Sequence, residues 1–277
     1  MVQSKKPRLE NGGELDTDSS SSEEDISEVE DLELDFDALS PDLEDISGIR
    51  SFIKSLLIDC PEVNDYDIAK FIIDNDWIGS VIRNCVNKNS ENPVSYDEDD
   101  PLFAFTSIVP LRDSCFQGIR KYISNNFTNV QGSSNDIKFV INNLLENTMS
   151  MKCGWVLSER YINMSPLVVA PLLKCLRTEL LNGQKDHPGY DFDYIFWITR
   201  SHKSKNSDQA PELANEEEYP LISHCSLRVD LKVKTHSENK EQIVCGWEKR
   251  SVDVLGFRTI FLLTFQQFLS ALDEIIQ

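Results

Sequence analysis

The sequence predicts an α/β (α+β) fold, a single three-layer domain with helices on both sides of a mixed, mostly antiparallel sheet. Segments with strand patterns are interspersed with segments of helical spacing, and two of the strand patterns alternate or run apolar throughout. Hydrophobic residues make up 40% of the 277 residues, which is sufficient for one large core. The longest apolar run, residues 259–265, is much shorter than the roughly 18 residues that a membrane span needs.

Helices are predicted where apolar residues recur at intervals of three and four. These segments are residues 46–57, 65–74, 78–86, 114–125, 136–146, 166–181 and 265–276. In the sixth of them, Pro171 has to lie in the first turn or else kink the helix.

Strands are predicted from continuous or alternating apolar residues. These segments are residues 102–111, 154–158, 194–200, 223–233, 243–247 and 259–264. Residues 194–200 are apolar throughout, which is typical of a strand buried on both faces. Residues 223–233 alternate, which indicates a half-buried antiparallel strand, and we expect residues 243–247 to pair with it. Residues 87–101 and 201–218 are polar and are predicted to be surface loops.

The negative charge is concentrated at the amino terminus. Residues 1–49 contain sixteen Asp and Glu but only three basic residues, so they carry −13 of the total charge of −20. Such a segment cannot bury enough apolar surface to fold. We therefore predict a disordered acidic tail over residues 1–45 and a folded domain over 46–277. The tail repels nucleic acid and anionic membranes, so we expect no direct binding to either, and a cationic protein as partner.

Two short motifs lie within this acidic segment. Lys5, Lys6, Pro7 and Arg8 form a candidate nuclear import signal, although basic clusters of this length also arise by chance. Four serines have an acidic residue three positions later, the pattern that acidophilic kinases select; they are Ser20, Ser21, Ser22 and Ser27. Each phosphate would add about −1.5 to −2 of charge.

The sequence contains no motif for cofactor or metal chemistry. No two glycines are separated by a single residue, so there is no G-x-G-x-x-G loop to hold a phosphate. The four histidines have no partner at metal-ligand spacing. His224-Cys225 followed by Arg228 suggests a phosphatase loop, but Leu231 occupies the position where that loop needs arginine. We therefore predict no catalytic residue, no cofactor and no metal.

The densest polar segment is residues 158–163, Ser-Glu-Arg-Tyr-Ile-Asn, which lies between a predicted strand and a predicted helix. One interpretation makes Glu159 and Arg160 a catalytic or binding pair. The other is a buried turn whose polar groups satisfy each other and the backbone. Without a cofactor loop nearby, the second interpretation is favoured.

Residues 154–171, GWVLSERYINMSPLVVAP, closely resemble the signature of the BCCIP family. The similarity extends to residues 49–86, 103–111, 216–219 and 258–276. Its most specific part is Ser158, Glu159 and Arg160 together with Asn163 and Pro166, as a structural or an interface element.

The resemblance implies a nuclear, non-enzymatic binding protein that shuttles to the cytoplasm. The family fold is similar to that of GNAT-type acetyltransferases without the cofactor site. The implied role is a chaperone or escort for a basic protein of the large ribosomal subunit, in ribosome biogenesis and nuclear export. A lipid kinase, a DNA-repair protein and a cell-cycle inhibitor are further implied partners, in DNA repair and cell-cycle control. Two alternatives stay open, namely a divergent acyltransferase of GNAT type and a genome-maintenance scaffold.

Overall fold

The sheet at the centre of the computed structural model contains one parallel strand pair, and its other pairs are antiparallel. The structure describes residues 36–84, 102–127, 135–146, 151–233 and 254–277. Within them the sheet has eight strands in the order β1-β2-β3-β4-β5-β8-β7, with β6 paired to β5. The strands are β1 (Phe36–Leu39), β2 (Ser80–Asn84), β3 (Ala104–Pro110), β4 (Cys153–Arg160), β5 (Tyr194–Ser204), β6 (Glu212–Leu213), β7 (Leu227–Lys232) and β8 (Val254–Thr264).

Helices cover both faces of this sheet, which confirms the predicted mixed architecture. They are α1 (Ile46–Leu56), α2 (Asp65–Asp74), α3 (Gln117–Phe127), α4 (Asn135–Glu146), α5 (Val169–Gly183), α6 (Pro220–His224) and α7 (Phe265–Ile275). Apolar side chains of α1 to α4 form one buried cluster with one face of the sheet. Those of α5 to α7 form a second cluster with the opposite face. No helix in the described ranges is long and apolar enough to cross a membrane.

Local sequence signals set where several of these helices begin. The side chain of Asn64 accepts hydrogen bonds from two backbone N–H groups at the start of α2. Thr264 and Gln267 form a reciprocal capping box at the start of α7. Pro171 is the third residue of α5 and lies in its first turn, which is the first of the two predicted alternatives, because α5 begins only after a 3-10 helix over Pro166–Val168.

The one parallel pair, β4 and β5, determines where a crevice can form. Their register runs from Cys153 opposite Tyr194 to Val156 opposite Trp197, although both strands continue beyond it. Farther along, β6 pairs with the β5 edge at Ser201. The two strands thus separate towards their carboxyl ends, which is where open α/β sheets usually bind ligands.

The structure corrects the amino-terminal boundary of the domain. The predicted boundary at 45/46 lies too late, because β1 pairs with β2 in register from Phe36 to Leu39. The carboxylate of Asp45 is buried and forms a short ion pair with Arg83 of β2, to which Asp42 also binds. The acidic composition concealed a strand and, after it, two carboxylates that bind an arginine of the sheet.

The predicted helix over residues 78–86 is also wrong, because residues 80–84 form β2. Gly79 has a φ of 108°, which no helix residue adopts, and a Cβ at this position would lie 2.6 Å from the carbonyl oxygen of Thr106. The spacing of Ile78, Val81 and Ile82 fits a helix and a strand equally well.

The prediction of a surface loop over residues 201–218 is wrong in part. β5 continues to Ser204, β6 returns along its edge, and a 3-10 helix over Glu216–Glu218 buries Glu218. The predicted strand 223–233 is shorter than expected, because α6 contains Ser223 and His224. The predicted strand 243–247, the predicted loop 87–101 and the part of the predicted tail before Phe36 lie outside the described residues.

The revised boundary leads to a deletion experiment. Removing residues 1–33, which contain no aromatic side chain, should leave the melting temperature unchanged. Removing residues 1–45 should lower it by roughly 2–4 °C for each kcal/mol lost, because β1 and the carboxylate partners of Arg83 go with it. Differential scanning calorimetry of the two deletions measures this. Equal melting temperatures of the two deletion variants would mean that the domain begins after residue 45, as the sequence predicts.

Candidate functional site

The first part of the site is a row of buried charges across β4, β5 and β8. Arg200 of β5 donates a short hydrogen bond to the carboxylate of Glu159 in β4. Arg258 lies opposite Arg200 in β8 and has no solvent exposure. Burial raises the pKa of Glu159, and the neighbouring Arg200 and Arg258 oppose that rise. This face of the sheet therefore joins the separating strands by an ion pair.

Arg258 also holds the end of α1. Its Nε donates to the carbonyl oxygen of Leu56, and its Nη2 donates to that of Ser55 over 2.8 Å. These carbonyl groups belong to the last turn of the helix, where no intrahelical donor is available. A cation at a helix carboxyl end is also favoured by the helix dipole. Arg258 thus fixes α1 against the centre of the sheet.

The second part lies on the opposite face, because side chains alternate along β4. Arg160 forms a two-pronged ion pair with Glu217, at 2.8 Å and 3.0 Å. Both side chains are less than a tenth exposed. A third donor of Arg160 binds the carbonyl oxygen of Met164 over 2.8 Å, which fixes the turn after β4.

Glu218, the next residue, binds the other separating strand. Its carboxylate accepts hydrogen bonds from Trp197 Nε1 at 3.2 Å and from the hydroxyl of Thr199, both on β5. Burial, with smaller contributions from the carboxylates of Glu217 and Glu159, raises the pKa of Glu218 to about 8. Glu217 therefore binds β4 and Glu218 binds β5, and we call this pair the Glu217–Glu218 clasp.

The structure brings together three of the five signature residues. Ser158, Glu159 and Arg160 lie on β4 rather than in the predicted turn, and all three are buried. Asn163 is exposed in the turn, and Pro166 begins the 3-10 helix before α5. The ion pairs of Glu159 and Arg160 agree with the structural interpretation of this segment.

Sequence reasoning missed the partners of these residues. Glu217 and Glu218 belong to a run of three glutamates, a pattern typical of a solvated surface. Arg200 and Arg258 are charged residues that adjoin apolar strand segments. A charged residue at such a position was the available signal for a buried ion-pair partner. The candidate import signal (Lys5, Lys6, Pro7, Arg8) and the candidate phosphorylation sites (Ser20, Ser21, Ser22, Ser27) lie outside the described residues.

Three partly exposed segments adjoin these strands, namely residues 39–45, 161–167 and 216–219. Tyr161 donates its backbone N–H to the carbonyl oxygen of Phe103, and Phe103 donates to that of Ile82, next to Arg83. Arg83 binds the carboxylates of the first segment, and Arg160 binds Glu217 of the third. Arg160 therefore links the second and third segments beside the clasp, whereas Arg83 holds the first segment on the opposite face of the sheet.

Comparison with known proteins identifies the family. The sequence model of the BCCIP family matches residues 31–254. The chain belongs to the BCCIP family. It is 28% identical over 264 residues to the Danio rerio protein "Protein BCCIP homolog", covering 88% of this chain and 82% of that one. It is 25% identical over 254 residues to "BRCA2 and CDKN1A-interacting protein" of Bos taurus, covering 84% and 79%.

A solved structure shares the fold. The crystal structure of BCP1 from Saccharomyces cerevisiae matches with a TM-score of 0.55 at 16% identity, and the match covers 92% of this chain and 93% of that one. The protein BCP1 of Debaryomyces hansenii is 27% identical over 187 residues, which is 62% of this chain and 55% of that protein. The matched region of the family includes β1, which agrees with the earlier start of the domain.

The ion pair of Arg160 predicts a large effect on stability. Arg160→Ala leaves Glu217 buried without a partner and should lower the free energy of unfolding by about 3–5 kcal/mol. Arg177→Ala is the matched control, because its ion pair with Asp273 is much more exposed, 32% and 55% for the two side chains, and should contribute at most about 1 kcal/mol. Urea unfolding of both variants measures the difference. A normally stable Arg160→Ala protein that had lost a binding partner would make Arg160 an interface residue instead.

Glu218 predicts a dependence of stability on pH. Because its pKa is higher in the fold than the ordinary value of 4.5, the folded protein keeps a proton that the unfolded chain releases. Its contribution to stability therefore falls as pH rises from about 4.5 to about 8, by at most about 1.4 kcal/mol per pH unit. Glu218→Gln should gain stability relative to the wild type over this range.

Urea unfolding at several pH values tests this expectation. Glu62→Gln, which changes an exposed carboxylate, is the control and should show no such trend. A difference between Glu218→Gln and the wild type that stays constant with pH would mean that Glu218 is ionised in the folded protein.

Proposed function

We propose that this protein is a non-enzymatic nuclear binding protein that escorts a basic protein of the large ribosomal subunit, in ribosome biogenesis and nuclear export. The observation that carries the proposal is the distribution of charge. Residues 1–35, which precede β1, contain twelve Asp and Glu and three basic residues, so they hold −9 of the −20 charge, and they adjoin a domain that belongs to the BCCIP family. A ribosomal protein that has not yet met its RNA presents a cationic surface, and a polyanionic chain attracts that surface while repelling RNA.

The Glu217–Glu218 clasp supports a non-enzymatic role. The alternative, a divergent acyltransferase, needs room for an acyl carrier between two separating parallel strands. Here Glu217 binds Arg160 of β4 and Glu218 binds Thr199 of β5, so the two side chains bridge the separating strands on one face of the sheet. Opening this interval would break a buried ion pair and leave a buried charge unpaired, which is costly.

Further partners come from the family. Relatives bear the name BRCA2 and CDKN1A-interacting protein, so a DNA-repair protein and a cell-cycle inhibitor belong to the proposal as additional partners of this chain. A lipid kinase is another, through nuclear export. Residues 5–8 supply the candidate signal for nuclear entry. In the alternative role, a genome-maintenance scaffold, the partners would be repair proteins, and they would resist high salt better than an electrostatically bound client.

The client hypothesis predicts a specific kinetic effect of the acidic segment. Co-purification from cell extract at low and high salt first identifies the cationic client. Deleting residues 10–33, which lie before β1, should then lower the association rate constant severalfold and leave the dissociation rate constant nearly unchanged. Asp substitutions at Ser20, Ser21, Ser22 and Ser27 should raise the association rate constant. Stopped-flow traces at two salt concentrations measure both constants.

Two outcomes would contradict this proposal. Recovery of repair proteins without any ribosomal protein would favour the scaffold. A deletion that raised the dissociation rate constant alone would mean that residues 10–33 act as a docked segment rather than by electrostatic steering.

A further inference from the structure

Ser165 is an exposed serine that is directly followed by a proline. The sequence contains eleven prolines, and two of them, Pro41 and Pro166, follow a serine or threonine. A serine with proline at the next position is the pattern that proline-directed protein kinases select. A proline also favours an extended backbone at the residue before it, and Ser165 has a φ of −59° and a ψ of 137°. The chain therefore offers two such serines, Ser40 and Ser165.

The surroundings of the two serines differ. Ser165 lies in the turn between β4 and α5, where residues 161–163 before it are exposed and Leu167 after it is 81% exposed. Ser40 follows directly after β1, and Pro41 is buried. Since a kinase binds its substrate as an extended segment, it would have to detach part of the sheet edge to reach Ser40. Ser165 needs the opening of a surface turn alone.

The hydroxyl of Ser165 also has a structural role. Its oxygen accepts a hydrogen bond of 3.3 Å from the backbone N–H of Leu167, so it caps the 3-10 helix that begins at Pro166. A phosphate ester on the same oxygen can keep this bond, because it brings additional acceptor oxygens. The cap therefore does not prevent modification of the hydroxyl.

A phosphate on Ser165 would lie beside Arg160. The Nη1 of Arg160 donates over 2.8 Å to the carbonyl oxygen of Met164, and the carbon of that carbonyl is bonded to the nitrogen of Ser165. The other donors of Arg160 bind Glu217 at 2.8 Å and 3.0 Å. The hydrogen bond to Glu217 and the negative charge of residues 216–218 raise the pKa of Arg160. One guanidinium group thus already holds the acidic segment of the clasp.

We propose that Ser165 is a phosphorylation site for a proline-directed protein kinase, and that the phosphate weakens the Glu217–Glu218 clasp by competing with Glu217 for Arg160. The kinase transfers the γ-phosphoryl group of ATP to the Ser165 oxygen. The bond between the γ-phosphorus and the β–γ bridging oxygen breaks, the Oγ–P bond forms, ADP leaves, and the hydroxyl proton passes to the catalytic base of the kinase.

Two effects of the phosphate act in the same direction. It adds about −1.5 to −2 of charge, which attracts the guanidinium group of Arg160 and repels the carboxylate of Glu217. Phosphate oxygens are also strong acceptors for the paired donors of an arginine. The inference does not depend on the ribosomal client, because neither the modification nor its effect on the clasp involves a client.

The first experiment asks whether the folded protein is a substrate. The full chain is incubated with ATP and an active proline-directed mitogen-activated protein kinase, and mass spectrometry locates the phosphate. We expect phosphate at Ser165 to appear about tenfold faster than at Ser40, because less structure has to open. Pro166→Ala should slow the reaction at Ser165 and leave the rate at Ser40 unchanged.

A synthetic peptide of residues 159–171 is the control for sequence selection. Phosphorylation of the peptide but not of the folded chain would mean that Ser165 is inaccessible, and the inference would be wrong. It would also be wrong if neither the peptide nor the chain acquired phosphate at Ser165, or if Ser40 reacted as fast.

The second experiment measures the clasp. Phosphoserine replaces Ser165 in one sample and Ser114 in a control sample, by genetic code expansion. Ser114 is likewise exposed and lies at the start of the 3-10 helix before α3. The backbone N–H groups of Glu218 and Tyr219 donate hydrogen bonds within residues 215–219. Hydrogen exchange of these two groups should be about tenfold faster with phosphate at Ser165 and unchanged with phosphate at Ser114.

Glu217→Gln shows whether the phosphate acts through the ion pair. This variant should exchange faster than the wild type without phosphate, and phosphate at Ser165 should then add little, because the two changes affect the same interaction. Unchanged exchange with phosphate at Ser165, equal acceleration by phosphate at Ser114, or a full effect of the phosphate in Glu217→Gln would each contradict the coupling to the clasp.

Discussion

A guanidinium group without solvent exposure has to place its donors on acceptors inside the protein, since an unpaired buried charge is very costly. Arg258 meets this requirement with the last carbonyl groups of α1 and with the nearby charge of Glu159. Glu159 in turn binds Arg200. One charge row therefore joins β4, β5, β8 and the end of α1, and the packing of the surrounding apolar cluster depends on those positions.

The charge row of Glu159, Arg200 and Arg258 helps to explain how the sheet tolerates two strands that separate. Beyond Val156 and Trp197 the backbone groups of β4 and β5 no longer pair with each other, so side chains have to join the strands. Glu159 and Arg200 do this on one face, and the clasp does it on the other. The carboxyl ends of a parallel pair are the usual ligand crevice of α/β sheets, and here Glu217 and Glu218 bind side chains of both strands at that place.

The elements that sequence reasoning predicted are those with local signals. Apolar spacing and caps defined α2 and α7, and the apolar segment from Tyr194 defined β5. Where the decisive interaction is distant in sequence, the prediction was wrong. β2 has a spacing compatible with a helix, and the left-handed conformation of Gly79 before it follows from its contact with β3. The clasp was taken for surface acids, because its partners Arg160 and Thr199 are remote in sequence.

These constraints assign different tasks to the acidic segment and to the folded domain. At physiological ionic strength the Debye length is about 8 Å, so the charge of the acidic segment can accelerate an encounter but holds a partner only while it is in contact. Long residence requires apolar surface that excludes water, together with carboxylates at fixed positions. Signature residues that are buried and structural can therefore determine binding indirectly, since Arg160 sets the position of the exposed turn that carries Ile162.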